Sequence, residues 1–351
     1  MSKSLVLAIE SSCDETAAAV LEGFDVERSH VVFSQAGIHA EFGGVVPEVA
    51  SRSHLQAGPA VIDETLAKAG VSLSELSAVA ATTGPGLATS LLVGVSLAKG
   101  LCIGADKPFL AVNHIEGHLL SPFFGSASIP PHIGLVVSGG HTLLIRAGGF
   151  GDYRILGRTQ DDAAGEAFDK AAKMLGLGYP GGAQIDRLAR TGDPTRHPFP
   201  RGMRHSGDND FSFSGLKTSL RVFLEKSPPA TESDLCDVCA SFQAAVVDVL
   251  VEKSCTAAIA ENLPLLAVSG GVSANSALAA RLRARTAELG LECRFPPPPL
   301  LTDNALMIAF AAAHQAATGR ISPLTTEIFP SFDTVDWARP APTATRQPRK
   351  A

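Results

Sequence analysis

Leu5-Val6-Leu7-Ala8-Ile9 is an unbroken apolar run that stops at Glu10. After the polar stretch Ser11-Ser12-Cys13-Asp14-Glu15-Thr16 the chain turns apolar again from Ala17 to Leu21. Short apolar runs bounded by turn-forming residues predict a strand, a polar turn and a second strand. The same order returns at Ile133-Gly134-Leu135-Val136-Val137, then Ser138-Gly139-Gly140-His141-Thr142, then Leu143-Leu144-Ile145. Two hairpins of one type predict two related halves.

A third buried strand, Leu265-Leu266-Ala267-Val268, leads into Ser269-Gly270-Gly271-Val272-Ser273-Ala274-Asn275 and then a helical pattern through Arg285. A fourth, Ala78-Val79-Ala80-Ala81, leads into Thr82-Thr83-Gly84-Pro85-Gly86 and a helix from about Thr89 to Lys99, with Gly100 as its stop signal. Strands alternating with helices predict the α/β class. A further helix is expected from Ala163 to about Leu175, capped by Asp161 or Asp162. Asp162, Glu166 and Asp169 would lie along one of its faces, eased by pairs from Glu166 to Lys170 and Asp169 to Lys173. We divide the chain into an N-terminal lobe at 1–130, a C-terminal lobe at 131–304, a helical return at 305–335 to the first lobe, and a disordered Ala/Pro/Thr/Arg-rich tail at 336–351.

The 351 residues, 45% hydrophobic and 18% charged, are ample for a large core and exclude disorder of the low-hydropathy kind. A formal net charge of −6 argues against gripping nucleic acid by charge over the whole surface. Positive charge does concentrate at Arg187, Arg190, Arg196, His197, Arg201, Arg204 and His205, with Lys217 and Arg221 beyond, but Asp186, Asp193, Asp208 and Asp210 are interspersed. That stretch reads as a phosphate-backbone contact or as a mixed-charge surface. Six scattered cysteines suit a reducing, cytoplasmic setting. The apolar run at 5–9 is too short for a signal peptide, and the one near 87–98 stops at Lys99, short of the ~20 residues of a membrane span.

Asn113-His114-Ile115-Glu116-Gly117-His118 sets two imidazoles four residues apart, on one face if helical and able to share a metal. Zincin proteases use the same spacing, but their base directly follows the first histidine, whereas Glu116 falls about 200° around the helix from His114. Asp303, just before the apolar helix 305–317, offers either a third ligand or an N-cap, and spacing does not choose between them. Cys236-x-x-Cys239 has no second pair and reads as structural. The paired glycines at 139–140 and 270–271 follow buried strands, where backbone N–H groups approach phosphate oxygens. Together with the Ser11–Asp14 turn they predict nucleotide binding.

Eight segments in order resemble the bacterial form of the tRNA adenosine threonylcarbamoyltransferase family, once labelled O-sialoglycoprotein endopeptidase. They are Glu10-Ser-Ser-Cys-Asp-Glu-Thr16, Gly43-Gly-Val-Val-Pro-Glu48, Thr83-Gly-Pro-Gly-Leu87, Asn113-His-Ile-Glu-Gly-His118, Val137-Ser-Gly-Gly-His-Thr142, Asp161-Asp-Ala-Ala-Gly-Glu-Ala-Phe-Asp-Lys170, Phe211-Ser-Phe-Ser-Gly-Leu-Lys217 and Ser269-Gly-Gly-Val-Ser-Ala-Asn275. The resemblance covers about Leu5 to Phe332. It implies a two-lobed fold like that of actin, Hsp70 and sugar kinases, with the active site in the interlobe cleft. It also implies transfer of a threonylcarbamoyl group from threonylcarbamoyl-AMP to the N6 amine of the adenosine 3′ of the anticodon, in tRNAs reading codons that begin with A.

Carried over by position, His114, His118 and Asp303 would bind one divalent metal, Fe(II) or Zn(II). Val137, Ser138, Gly139, Gly140, His141, Asp169, Gly182, Asp186 and Asn275 would bind the adenine nucleotide and its acyl group. The implied partners are tRNA, a paralogous subunit forming a heterodimer, a P-loop ATPase and the upstream synthase of the activated intermediate; no membrane is implied. The competing readings are an ATP-dependent small-molecule kinase of the same fold, a metalloprotease as in the old label, and a silent binding subunit.

Overall fold

The computed structural model describes residues 4–331, so the expectation for 336–351 lies outside the described residues. The chain forms two compact units. One takes the residues up to 39, 45–129 and 303 onward; the other takes 40–44 and 130–302.

In the first unit β1 (Leu5–Glu10), β2 (Glu15–Glu22) and β3 (Val26–Ser34) lead through the short α1 (Ala36–Ala40) to α2 (Pro47–Ala69), β4 (Ala78–Gly84), α3 (Ala88–Ala105), β5 (Phe109–Asn113) and α4 (His114–Leu120). The sheet order is β3-β2-β1-β4-β5, with β1 antiparallel to β2 and parallel to β4. β1 is central and covered on both faces, which is why it reads as a continuous apolar run; β3 lies at the edge and is far more exposed. Leu7, Ile9, Val20 and Val79 form a core with Val61 and Ile62 of α2 and Val95 and Cys102 of α3.

In the second unit β6 (His132–Val137), β7 (Thr142–Gly149) and β8 (Asp152–Arg158) precede α5 (Ala164–Met174), α6 (Gly181–Ala189), α7 (Ser214–Lys226) and α8 (Glu232–Ala260). Then come β9 (Leu265–Ser269), α9 (Ser276–Glu288) and β10 (Glu292–Arg294). Its sheet order, β8-β7-β6-β9-β10, repeats the first strand for strand, with the same antiparallel hairpins and parallel crossovers. The expected duplication is therefore complete at the level of topology. Phe168, Phe199, Phe211, Phe213 and Phe242 pack with Ile133, Leu135 and Val137 in one core. The last helix, α10 (Ala305–Ala317), is almost wholly buried and packs against β1, β2 and α4 of the first unit.

Two local expectations are corrected. α3 does not stop at Gly100 but continues to Ala105 and ends where Asp106 takes φ 52°. Its last turn buries Cys102 in the core, and that packing carries the helix through a glycine that costs only about 1 kcal/mol. At 18 residues it is, among the described residues, the one helix long and apolar enough to cross a membrane. It packs instead on β4 and α2. Nor do Asp161 and Asp162 cap α5, whose N-cap is Ala163. Asp161 accepts the Phe213 and Ser214 N–H groups (2.8 and 3.1 Å) at the start of α7, and Asp162 pairs with Lys170 and Lys217. The Glu166–Lys170 pair forms, whereas Asp169 turns from Lys173 to the Gly181 N–H. The carboxylates each have a partner and do not form a repelling face.

Candidate functional site

Glu10 ends β1 and is fully buried. The parallel β1–β4 register brings it beside Thr82, whose hydroxyl donates to Oε2 at 2.6 Å; Oε1 accepts the Ser12 N–H at 2.5 Å. The third contact is with His114 Nδ1, 3.2 Å from Oε2. A carboxylate only accepts, so this nitrogen carries the proton.

His114 opens α4 because Asn113 caps it, its Oδ1 accepting the Ile115 and Glu116 N–H groups at 2.8 and 3.2 Å. One turn on, His118 meets His114 edge to face with ring centroids 4.7 Å apart. The N-cap reading of Asp303 is excluded by its neighbour. Asn304 caps α10 by accepting the Met307 N–H at 2.8 Å, and Asp303 is left to face the imidazoles. Its Oδ1 lies 2.9 Å from His118 Nε2 and 3.5 Å from His114 Nε2. The ligating atoms of His114, His118 and Asp303 lie within 4.8 Å of one another, the one such grouping found among the described residues. Glu116 instead accepts from Gln315 Nε2 at 3.3 Å, so it does not stand as the base of a zincin-type protease.

Burial alone would depress His114, but the charges of Asp303 and Glu10 and the Glu10 hydrogen bond push it up to about 9. Burial works to raise Glu10, yet the charge and hydrogen bond of His114 hold it below the ordinary carboxylate range. Glu15 is pushed up to about 9 by burial and then by Asp303, Asp14 and Glu10. His114, His118 and Asp303 thus bring two imidazoles and one carboxylate together, a donor set that a divalent transition metal fits.

The turn after β1 is itself pinned. His54 of α2, fully buried, approaches the Cys13 carbonyl with Nε2 (2.9 Å) and Thr16 Oγ1 with Nδ1 (2.7 Å). Burial lowers its pKa and keeps it neutral. Ser12 Oγ reaches His114 Nδ1 at 3.1 Å. The sequence reading gave no role to Glu10, Thr82 or His54, and took Ser12 only as part of the Ser11–Asp14 turn expected to meet a nucleotide. The available signal was a carboxylate at the end of an otherwise unbroken apolar strand.

The remaining predicted residues lie in the second unit. Ser138 N–H donates to the His141 carbonyl (2.8 Å) and the His141 N–H to Ser138 Oγ (3.2 Å), closing a turn whose Gly139 and Gly140 have open space where a Cβ would be. Beneath it α5 begins, and the Gly165 N–H donates to the Ser138 carbonyl at 3.2 Å. A Cβ on Gly165 would lie 2.5 Å from that oxygen. β6 and β9 pair in parallel, so the turns that follow them emerge at the same end of the sheet. Gly270, at φ 88°, comes so close that a Cβ would sit 2.4 Å from the Val137 carbonyl. Asp169 accepts the Gly181 N–H at 2.8 Å, next to Gly182. Asp186 Oδ1 accepts the Ser276 N–H and hydroxyl at 3.1 and 2.7 Å, which ties it to Asn275, the N-cap of α9. Ligands of open α/β sheets bind at such carboxyl ends of strands.

The basic stretch is largely committed to internal pairs: Arg201 to Asp248 (3.0 Å), Arg204 to Glu252, Arg190 to Asp186 (3.2 Å). Acidic and basic side chains alternate there, and either reading of the stretch stays open. Cys236 and Cys239 are free and buried in α8, and burial pushes the Cys239 thiol up to about 12. A cavity of 510 Å³ along α8 and α9, lined by Arg204, Cys255 and Arg281 among others, contains none of the predicted site residues.

Comparison with known proteins adds the following. Residues 27–310 match the family model described as tRNA N6-adenosine threonylcarbamoyltransferase. A protein of that name from Geobacter sp. (strain M21) is 50% identical over 326 residues, 93% of this chain and 95% of its own. One from Anaeromyxobacter dehalogenans (strain 2CP-1) is 53% identical over 318 residues, 90% and 95% of the two chains. Among solved structures HypF from T. kodakarensis superposes with a TM-score of 0.63 at 14% identity, covering 90% of this chain and 48% of that one. That likeness concerns the fold alone.

Proposed function

The chain belongs to the tRNA N6-adenosine threonylcarbamoyltransferase family, and from that premise we propose that it takes the acyl group from threonylcarbamoyl-AMP and delivers it, in the cytoplasm, to the N6 amine of the adenosine 3′ of the anticodon in tRNAs reading codons that begin with A. His114 and His118, through Nε2, and Asp303, through Oδ1, hold a divalent metal in this reading. Two imidazoles and one carboxylate leave coordination positions open, a set that Fe(II) takes and Zn(II) also accepts. A metal bound there supplies Lewis acidity toward the donor's carbonyl oxygen.

The chain's own residues do the rest. Glu10 keeps the proton of His114 on Nδ1 and so leaves Nε2 as the ligating atom. The turns at 138–141 and 270–275 offer backbone N–H groups to the adenylate phosphate, with Asp169, Gly182, Asp186 and Asn275 arranged around them. In the transfer the N6 nitrogen forms a bond to the carbonyl carbon, the bond from that carbon to the phosphate oxygen of the mixed anhydride breaks, AMP departs with the electron pair, and the amine gives up a proton. An exocyclic adenine amine is a weak nucleophile, so positioning matters more than deprotonation.

The convergence of His114, His118 and Asp303 within 4.8 Å carries this reading. Its test is mass spectrometry of nucleosides from tRNA incubated with threonine, bicarbonate, ATP and a reconstituted set: the upstream synthase, the paralogous subunit, the P-loop ATPase and this chain. Modified adenosine is expected only when the chain is present. His118→Ala is expected to lose the metal and the product while keeping wild-type circular dichroism; full activity in that variant refutes the assignment.

A further inference from the structure

Asn275, assigned above to the adenylate, already has its carboxamide engaged on two sides. Its Oδ1 accepts the Leu278 N–H at 2.9 Å, capping α9, and its Nδ2 donates to Gln243 Oε1 at 2.6 Å. Gln243 sits on α8, 32 positions earlier, on a helix that carries none of the assigned residues. Both side chains are more than nine-tenths buried, at 6% and 7% exposure.

A carboxamide has two N–H donors and two acceptor lone pairs. Reversing the amide would set N–H against N–H at Leu278 and oxygen against oxygen at Gln243. Left unpaired in a buried position, such groups are costly, so the two contacts together admit one orientation. That orientation commits the oxygen to the helix N-terminus and leaves one N–H of Nδ2 to spare. The backbone beside it is held separately, by the bonds from Ser276 to Asp186. Loss of Gln243 therefore removes one of the two bonds that hold the amide, while the bond to the Leu278 N–H and the turn stay in place.

We propose that Gln243 is a positioning residue for the transfer reaction, holding the Asn275 carboxamide so that its remaining N–H is presented to a hydrogen-bond acceptor on the adenylate, a ribose or phosphate oxygen. This rests on the adenylate reading of the turns at 138–141 and 270–275. It makes Asn275 a donor to the nucleotide, and it makes the oxygen of residue 243, not its volume, the feature that counts.

The test uses the full chain and AMP as the probe, titrated calorimetrically, with a thermal melt of every variant. Gln243→Leu, which removes the acceptor, is expected to weaken AMP by about fivefold to tenfold. Gln243→Glu, which keeps an oxygen facing Nδ2, is expected to restore affinity to within about threefold of wild type. Asn275→Asp, which has no N–H, is expected to lose as much as Asn275→Ala. In the reconstituted reaction Gln243→Leu raises the KM for threonylcarbamoyl-AMP by a larger factor than it lowers kcat. Wild-type AMP affinity in Gln243→Leu, with Asn275→Ala impaired, overturns this inference alone. Wild-type affinity in Asn275→Ala overturns the adenylate reading and this inference with it. If Gln243→Leu does not fold, Asn275→Asp decides: undiminished AMP binding there overturns the donor role.

Discussion

Glu10→Gln is nearly isosteric and removes one negative charge from a site where every oxygen of the carboxylate is used. The glutamine oxygen can still accept the Ser12 N–H now bonded at 2.5 Å, and the Thr82 hydroxyl can turn to accept from the new NH2 group. His114 has no such freedom. Its Nδ1, 3.2 Å from Glu10 Oε2, would face a donor and become the bare nitrogen, moving the proton to Nε2. That is the atom 3.5 Å from Asp303 which a metal in the proposed site would need unprotonated. Loss of a carboxylate that orients a ligating histidine lowers metal affinity about 10- to 100-fold, or about 1.4–2.7 kcal/mol. Competition with a chromophoric chelator measures the affinity, and elemental analysis of the protein as isolated checks occupancy. Circular dichroism and a thermal melt show that the fold persists. Wild-type metal affinity in Glu10→Gln would refute the argument that Glu10 sets the tautomer of His114.

Gly165→Ala places a Cβ 2.5 Å from the Ser138 carbonyl, a backbone atom that can move only with the 138–141 turn. Urea denaturation is expected to show about 1–3 kcal/mol of destabilisation, with weaker AMP binding. Phe242→Ala empties a fully buried site edge-on to Phe168 and Phe199 (6.0 and 6.2 Å between centroids) and should cost about 3–5 kcal/mol by the same assay. Burial pushes His132 down to about 4, with Arg294 adding and the Pro130 carbonyl bond opposing. Its folded pKa lies below the unfolded value of about 6.5, so nothing is lost above that pH. As pH falls from about 6.5 through 4 the unfolded chain binds the extra proton, and roughly 3 kcal/mol disappears. His132→Asn should flatten that part of the stability–pH curve, and an unchanged slope would show that another group is responsible.

Much of the fold was readable because its determinants are local. Leu5–Ile9 and Ile133–Val137 are apolar throughout since each is a central strand covered on both faces, and their repeated hairpin grammar announced the duplicated topology. The i, i+4 imidazoles needed only a helix, which Asn113 starts from within its own segment. The end of α3 was misread because Gly100 is a stop signal only where nothing distant rewards continuing, and here the burial of Cys102 does. Asp161 looked like a cap for the helix that follows it, but it caps one beginning more than fifty residues later.

What the sequence by itself determined was the alternation of elements, the pairing of His114 with His118, and the glycine turns after β6 and β9. Each follows from energies within a few residues: strand coverage, helical period, capping and steric freedom. Tertiary structure alone decided that Asp303 faces the His118 imidazole 185 residues away while Asn304 takes the cap, that Glu10 meets Thr82 and His114 across 72 and 104 residues, and that Gln243 holds Asn275. Those choices depend on where two chain segments come to lie after folding. Adjacent residues with the same intrinsic capacity, such as Asp303 and Asn304, differ only in which distant group is there to meet them.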